Sequence, residues 1–201
     1  MSENTMEPPR TPPVLSRRCL AAILLTTCLS SFATPYISSG VQLALPVITA
    51  EYGVGANLIG WVPTAFLLPY AIFLLPFGKI ADTWGRRRIF LGGTATMTAG
   101  ILIAGLAPGF WFILLGMAVA GFGSAMTFAT SVPLLTTNYP LRERGKVIGI
   151  NTAVVYIGLS SGPFIGGILT DAFGWRALYI AAVPVALAAL AAGSLFVPRD
   201  T

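Results

Sequence analysis

From residue 19 onward the chain alternates long apolar stretches with short polar clusters. Crossing the hydrocarbon core of a bilayer takes about 20 mostly apolar residues in a helix. Six stretches meet that length: 19–48, 56–77, 89–107, 110–137, 147–169 and 177–196. The third and fourth run together without a charge from Ile89 to Leu141, too far for one crossing. Pro108-Gly109 divides them where a tight turn is expected. The pattern predicts an all-α, polytopic membrane protein of six transmembrane helices. Residues 1–18, with Pro8, Pro9, Pro12 and Pro13, read as a disordered tail, 19–197 as the bundle and 198–201 as a short end.

Composition agrees. Of the 201 residues, 55% are hydrophobic and 9% charged, and mean hydropathy is +0.80. Soluble domains carry about 25% charged residues. The net charge of +5 is no footprint for nucleic acid, because the basic residues sit in short clusters between apolar stretches. With the N-terminus inside, eleven Lys and Arg fall on the inner side and Arg176 alone on the outer. That asymmetry places both termini in the cytoplasm of a multi-pass cell-membrane protein. The chain has no histidine, and its two cysteines, Cys19 and Cys28, lie about 13 Å apart along one helix, too far for a disulfide. No metal cluster or nucleophile–base pair is visible, so neither an enzyme nor a metal or cofactor site is expected.

Two segments recur. Gly78-Lys79-Ile80-Ala81-Asp82-Thr83-Trp84-Gly85-Arg86-Arg87 follows the second stretch, and Gly167 to Arg176 repeats its pattern 89 residues later. Pro46 to Tyr52 is echoed by Pro133 to Tyr139 at an offset of 87. An offset of three helices reverses membrane orientation, so the bundle reads as an inverted 3+3 repeat, a signature of alternating-access transporters.

The first of these segments, read as a loop from Gly78 to Arg88, holds Asp82, the only acid between Glu51 and Glu143. Among Lys79, Arg86, Arg87 and Arg88 it can pair with an arginine or cap a helix. Gly78 and Gly85 permit turns or close helix approach. In the fifth stretch Gly158, Gly162 and Gly166 recur every four residues, with Pro163 and Gly167 beside them. They form a smooth stripe against which another helix can pack, and Pro163 favours a bend.

These residues carry a resemblance to the major facilitator superfamily. The Gly78–Arg87 segment resembles its motif A, G-x-L-A-D-x-x-G-R-[KR], with Ile80 for Leu. Gly158 to Gly167 matches its antiporter motif C, G-x-x-x-G-P-x-x-G-G. Ala44-Leu45-Pro46 and Gly174-Trp175-Arg176 fit as well. The resemblance spans about residues 19–197 and points to the drug/proton antiporter branch. It implies that the chain is the N-terminal six-helix half of a secondary transporter, in which Asp82 latches the outward-open state against a second half and motif C closes the inward-leading cavity. Met117 and Ala120 stand where motif B has its Arg and Gln, and Ile37 where the fourteen-helix subgroup has Asp. No ionisable acid or base therefore lies inside a predicted span, and this half shows no proton carrier.

The substrate cavity must then be sought among neutral polar residues: Tyr36, Ser39 and Gln42 in the first helix, Thr127 in the fourth, Asn151 and Tyr156 in the fifth. Such groups need partners in lipid and so should face the interior. They suit an uncharged or amphipathic organic molecule. A single half cannot enclose a central site. The expected partners are the bilayer, a small-molecule substrate and a second six-helix half. That half is supplied by a continuation of the chain, a separate chain or a second copy, a fragment or split transporter being favoured. The rival reading is a non-transporting membrane subunit that keeps the half-fold and docks to a partner.

Overall fold

The computed structural model describes residues 16–197 and is helical nearly throughout. Seven helices follow in order: α1 (Arg17–Tyr52), α2 (Ala56–Ile59), α3 (Trp61–Trp84), α4 (Arg86–Gly105), α5 (Phe110–Asn138), α6 (Leu141–Phe173) and α7 (Arg176–Phe196). The short α2 leads directly into α3, so six are long and apolar enough to cross a membrane. All six predicted stretches are found, and α4 and α5 part at Pro108-Gly109.

The helices overshoot the apolar stretches that announced them. At 1.5 Å per residue the 36 residues of α1 extend about 54 Å, well beyond a hydrocarbon core of about 30 Å. Hydropathy ends where lipid ends, whereas a helix continues until its backbone meets a stop. Two corrections follow. Residues 17 and 18, assigned to the tail, are the first turn of α1, where the Ser16 hydroxyl accepts the Cys19 amide at 3.3 Å. The segment from Gly78 to Arg88, read as a loop, is the last turns of α3 and the first of α4, joined through Gly85 alone. Gly85 has φ 97°, a region disfavoured for residues bearing a Cβ. The remainder of the N-terminal tail and the end 198–201 lie outside the described residues.

Packing divides the helices into two groups. α1 lies against α5, α6 and α7, and α5 against α3 and α4. The core of α1, α4, α5 and α7 holds Ile37, Val41, Met97, Ile101, Met117 and Tyr179, all buried. A smaller apolar cluster around Ile23, Phe90, Leu135 and Val147 closes the end where the described chain begins and finishes. Along α1 the two are separated by Thr26, Thr27, Ser30, Ser31 and Thr34, buried hydroxyl residues. Thr26 and Thr27 donate to carbonyls of their own helix at 2.7–3.0 Å, which satisfies the proton without another helix. α3 and α6 are peripheral and leave most of their apolar surface uncovered.

The inverted repeat is visible atom by atom. The Tyr52 hydroxyl donates to the Ala107 carbonyl at 3.2 Å, and the Tyr139 hydroxyl to the Leu20 carbonyl at 2.6 Å. Both members of the second pair lie 87 residues from their counterparts, with donor and acceptor exchanged between repeats. Arg87 Nη2 donates to the Ser194 carbonyl at 2.7 Å and Arg176 Nη2 to the Ala107 carbonyl at 3.2 Å, a second reciprocal pair. Each three-helix repeat thus bonds to the other near its helix ends.

Candidate functional site

Three features carry the candidate site: the basic junction between α3 and α4, the seam between α1 and α6, and the polar residues along the spans.

At the junction, Arg86 begins α4 immediately after Gly85 and turns back over the end of α3. Its Nε and Nη2 donate to Asp82 Oδ1 at 3.2 and 2.9 Å. Its Nη1 reaches the Pro133 carbonyl at 3.3 Å and the Thr137 hydroxyl. One guanidinium therefore joins α3, α4 and the end of α5. Arginine suits this work because its planar fork offers several donors at fixed angles. Three arginines in the first turn of α4 oppose the helix dipole. Asp82 and the α5 carbonyl oppose that cost at Arg86, and the Ser194 carbonyl does so at Arg87. Asp82 pairs with arginine rather than capping α4, whose first turn has no side-chain cap. The Asp82 side chain is 62% exposed, and its Oδ2 has no partner among the described residues. Gly78 departs from expectation, since a Cβ there would meet nothing within 4 Å. Its smallness serves no contact within these six spans. Just past the end of α5, burial first and the Glu143 charge second raise the Tyr139 pKa. Its hydroxyl stays protonated and keeps its bond to Leu20.

The second feature fulfils the packing expected of the glycine stripe, and the partner is α1. Gly158, Gly162 and Gly166 are buried along one face of α6. A Cβ on Gly158 would sit 2.6 Å from the Phe32 carbonyl oxygen, and one on Gly162 2.6 Å from that of Tyr36. Gly40 of α1 faces the same seam, 3.3 Å from a Cβ on Gly166. The two helices approach until backbone touches backbone, with Pro35 against Gly158 and Ser39 against Gly162. Gly167 lies beside the seam, with only Leu43 near. Pro163 is accommodated in a helix that runs unbroken from Leu141 to Phe173.

The structure does not bring the six polar candidates together. Tyr36 is buried in the main core and stacks on Phe32 at 5.6 Å, while its backbone carbonyl meets Gly162 at the α6 seam. The Ser39 hydroxyl donates to the Pro35 carbonyl at 2.7 Å and lies against Gly162. Thr127 is buried against Gly93 of α4 and donates to the Gly123 carbonyl at 3.0 Å. Asn151 is 4% exposed. The Asn151 Oδ1 and the Tyr36 hydroxyl are buried with no hydrogen-bond partner among the described residues. Gln42 and Tyr156 are exposed, the latter at 63%. Two residues missed by the sequence reading join Tyr156. Thr152 and Ser160 lie one helical turn to either side of it and are also exposed. The spacing of four was there to be found, but only the burial of the glycine face shows that 152, 156 and 160 point away from α1. A shallow open groove on this part of α6 is lined by Tyr156, Ile157, Ser160, Ser161 and Phe164.

Inverted repeats of three spanning helices, closed at both ends by reciprocal bonds and grooved by a glycine seam, define half of a transporter-type membrane bundle. The comparisons with known proteins make the class specific. The profile of the Major Facilitator Superfamily matches residues 27–201, and the chain belongs to that family. It is 31% identical over 177 residues to the riboflavin transporter RibZ of Clostridioides difficile, covering 88% of this chain and 39% of that protein. It is 35% identical over 168 residues to the cephamycin export protein CmcT of Amycolatopsis lactamdurans, covering 83% and 35%. The multidrug resistance protein Stp of Mycobacterium tuberculosis is 35% identical over 146 residues, covering 72% and 27%. Among solved structures, a bacterial homologue of the lysosomal transporter Spinster, inward-facing and unoccupied, superposes with a TM-score of 0.71 at 21% identity. That match covers 93% of this chain and 45% of the other and establishes the fold. The chain thus spans less than half the length of these relatives. Its family is one of membrane transporters, not of enzymes.

Proposed function

We propose that this chain forms the N-terminal half of a secondary transporter that exports a small organic solute by alternating access. One observation carries the reading: Thr152, Tyr156 and Ser160 line an exposed face of a spanning helix, opposite its packed seam. Lipid offers such groups no hydrogen-bond partner. Thr and Ser hydroxyls can turn back onto their own helix, but the Tyr156 phenol cannot and needs protein or water beside it at membrane depth, which a second six-helix half with a solute path between the halves supplies. Gln42 of α1 is exposed in the same way. A neutral polar and aromatic lining suits an uncharged or amphipathic solute, in keeping with relatives named for transporting riboflavin or exporting cephamycin.

In this reading both termini are cytoplasmic and the Asp82–Arg86 junction lies at the inner surface of the cell membrane. The free Oδ2 of Asp82 meets the second half and latches the outward-open state, while the α1–α6 seam lets α6 shift as the inward cavity closes. The test is solute flux in vesicles reconstituted with the chain and its second half. Asp82→Asn should slow flux several-fold while insertion is unchanged. Flux indistinguishable from wild type removes Asp82 from the mechanism, and no flux for any organic solute leaves a non-transporting subunit as the better reading.

A further inference from the structure

The buried hydroxyl residues of α1 belong to a layer that four helices share. The smaller apolar cluster holds Ile23 of α1, Phe90 of α4, Leu134 and Leu135 of α5 and Val147 of α6. One turn away, every one of these helices changes from hydrocarbon to oxygen. Thr27 follows Ile23, Thr94 follows Phe90 and Asn151 follows Val147, each by four residues. On α5, which runs the opposite way, Thr130 and Ser131 precede Leu134 and Leu135 by four. Residues four apart share a helix face, so the five polar positions stack on the apolar cluster. All five are buried, from 0 to 4% exposed. On the far side of the layer the Thr34 hydroxyl lies 3.4 Å from Ser124 Oγ and 3.5 Å from Met97 Sδ, where the main core begins. Hydrocarbon thus closes the layer at both ends.

The protons in this layer are mostly spent. Thr27, Thr94, Thr130 and Ser131 all donate to carbonyls of their own helices, at 2.8–3.1 Å. What these hydroxyls have left to offer is lone pairs. Asn151 Oδ1 is a further acceptor, buried and without a donor. It stands on the face of α6 that carries the glycine seam, two turns before Gly158, and so is turned toward α1. The Ser30 and Ser31 hydroxyls are buried and unpartnered as well. Each can return its proton to the preceding turn of α1, as Thr26 and Thr27 do, and then it too presents only lone pairs. Buried oxygens without partners are rare in native proteins. Water brings as many acceptors as donors and does not redress the balance, whereas a cation needs lone pairs alone. No carboxylate lies in the layer to offset the dehydration of a divalent ion. Neutral oxygens do hold monovalent cations, as the carbonyl rings of channel filters show.

We propose that the side-chain oxygens of Thr27, Ser31, Ser131 and Asn151 hold a sodium ion between α1, α5 and α6. The ion ties α6 to α1 just beyond the end of the glycine seam, so a shift of α6 along that seam strips ligands from it. A proton needs a titratable carrier, and the spans of this half have no acidic or basic side chain to serve; a neutral oxygen site binds an ion without one. Coupling of the ion to solute movement rests on the transport reading, but the site itself does not.

Thermal unfolding of the full chain in lipid nanodiscs tests the site, with sodium chloride titrated against choline chloride at constant ionic strength. Sodium should raise the midpoint saturably and choline should not, because only a bound ion stabilises by mass action. Asn151→Leu removes the unpartnered oxygen and keeps the side-chain size. It should weaken the apparent sodium affinity about tenfold or more. Ser31→Ala should weaken it several-fold. A midpoint that ignores sodium overturns the proposal; if Asn151→Leu then stabilises the chain in both salts, the layer holds water alone. A sodium response that both variants keep in full overturns it too, since the ion then acts elsewhere, at Asp82 or Glu51. Should Asn151→Leu fail to insert, Ser31→Ala decides, and unchanged affinity in that variant is equally fatal. No flux is read, so this outcome stands apart from that of the transport reading.

Discussion

Gly162→Ala is the sharpest test of the α1–α6 seam. The added methyl would lie 2.6 Å from the Tyr36 carbonyl oxygen and 3.0 Å from the Gly40 nitrogen, both backbone atoms that cannot rotate away. Ordinary contact begins near 3.4 Å, so α6 must retreat from α1 by about 0.8 Å. A retreat of that size loosens the neighbouring turns at Gly158 and Gly166, which rely on the same closeness. Overpacking of this kind costs about 1–3 kcal/mol, a factor of roughly 5–150 in the folding equilibrium. The control is Gly78→Ala. It adds the same methyl to a helix interior where nothing lies within 4 Å, so its expected effect is zero or slightly stabilising. Unfolding of both variants by titration with SDS from mixed micelles, followed by helical circular dichroism, gives the comparison. Equal stability of the two variants would refute the argument, because it would mean the helices do not meet at the glycines. If Gly78→Ala is silent in the isolated chain yet slows transport once a second half is present, the role of Gly78 lies in that contact.

Other outcomes follow from single contacts. Gly85→Ala forces a Cβ into φ 97° at the sole residue joining α3 to α4 and should cost about 1–2 kcal/mol in the same titration. Tyr139→Phe removes the 2.6 Å bond to the Leu20 carbonyl, which keeps its bond within α1, and should lower stability by about 1 kcal/mol, read from the SDS midpoint. Asp82→Asn weakens an exposed pair within one junction and should hardly change stability, so any loss of flux in that variant reports on function.

How far the sequence could be read depended on what the solvent dictates. Lipid sets the length and apolarity of a span, so the six stretches and the break at Pro108-Gly109 were legible. The ends were not, because past the membrane surface a helix such as α4 gains Arg86 to Arg88 with no apolar signal. Motif spacing located the seam, since glycines every four residues can only form one stripe, but the partner helix was set by tertiary packing. The polar candidates were sorted only by the structure. Tyr36, Thr127 and Asn151 are as polar as Gln42, and only the position of neighbouring helices sorts buried groups from exposed ones. The Tyr52–Tyr139 echo marked the helix ends that the reciprocal bonds join, whereas the Glu51–Arg176 pair left no signal of its own.

Those reciprocal bonds also bear on how the chain is made. Leu20 meets Tyr139 and Glu51 meets Arg176 only across long stretches of chain, so the first three spans emerge without these tertiary bonds. At about 5–20 residues per second, the roughly 125 residues between Glu51 and Arg176 take some 6–25 s to synthesise. A ribosome stalled before residue 176 would leave a three-to-five-helix intermediate with its first repeat unclosed, and that intermediate is the species a quality-control protease would meet.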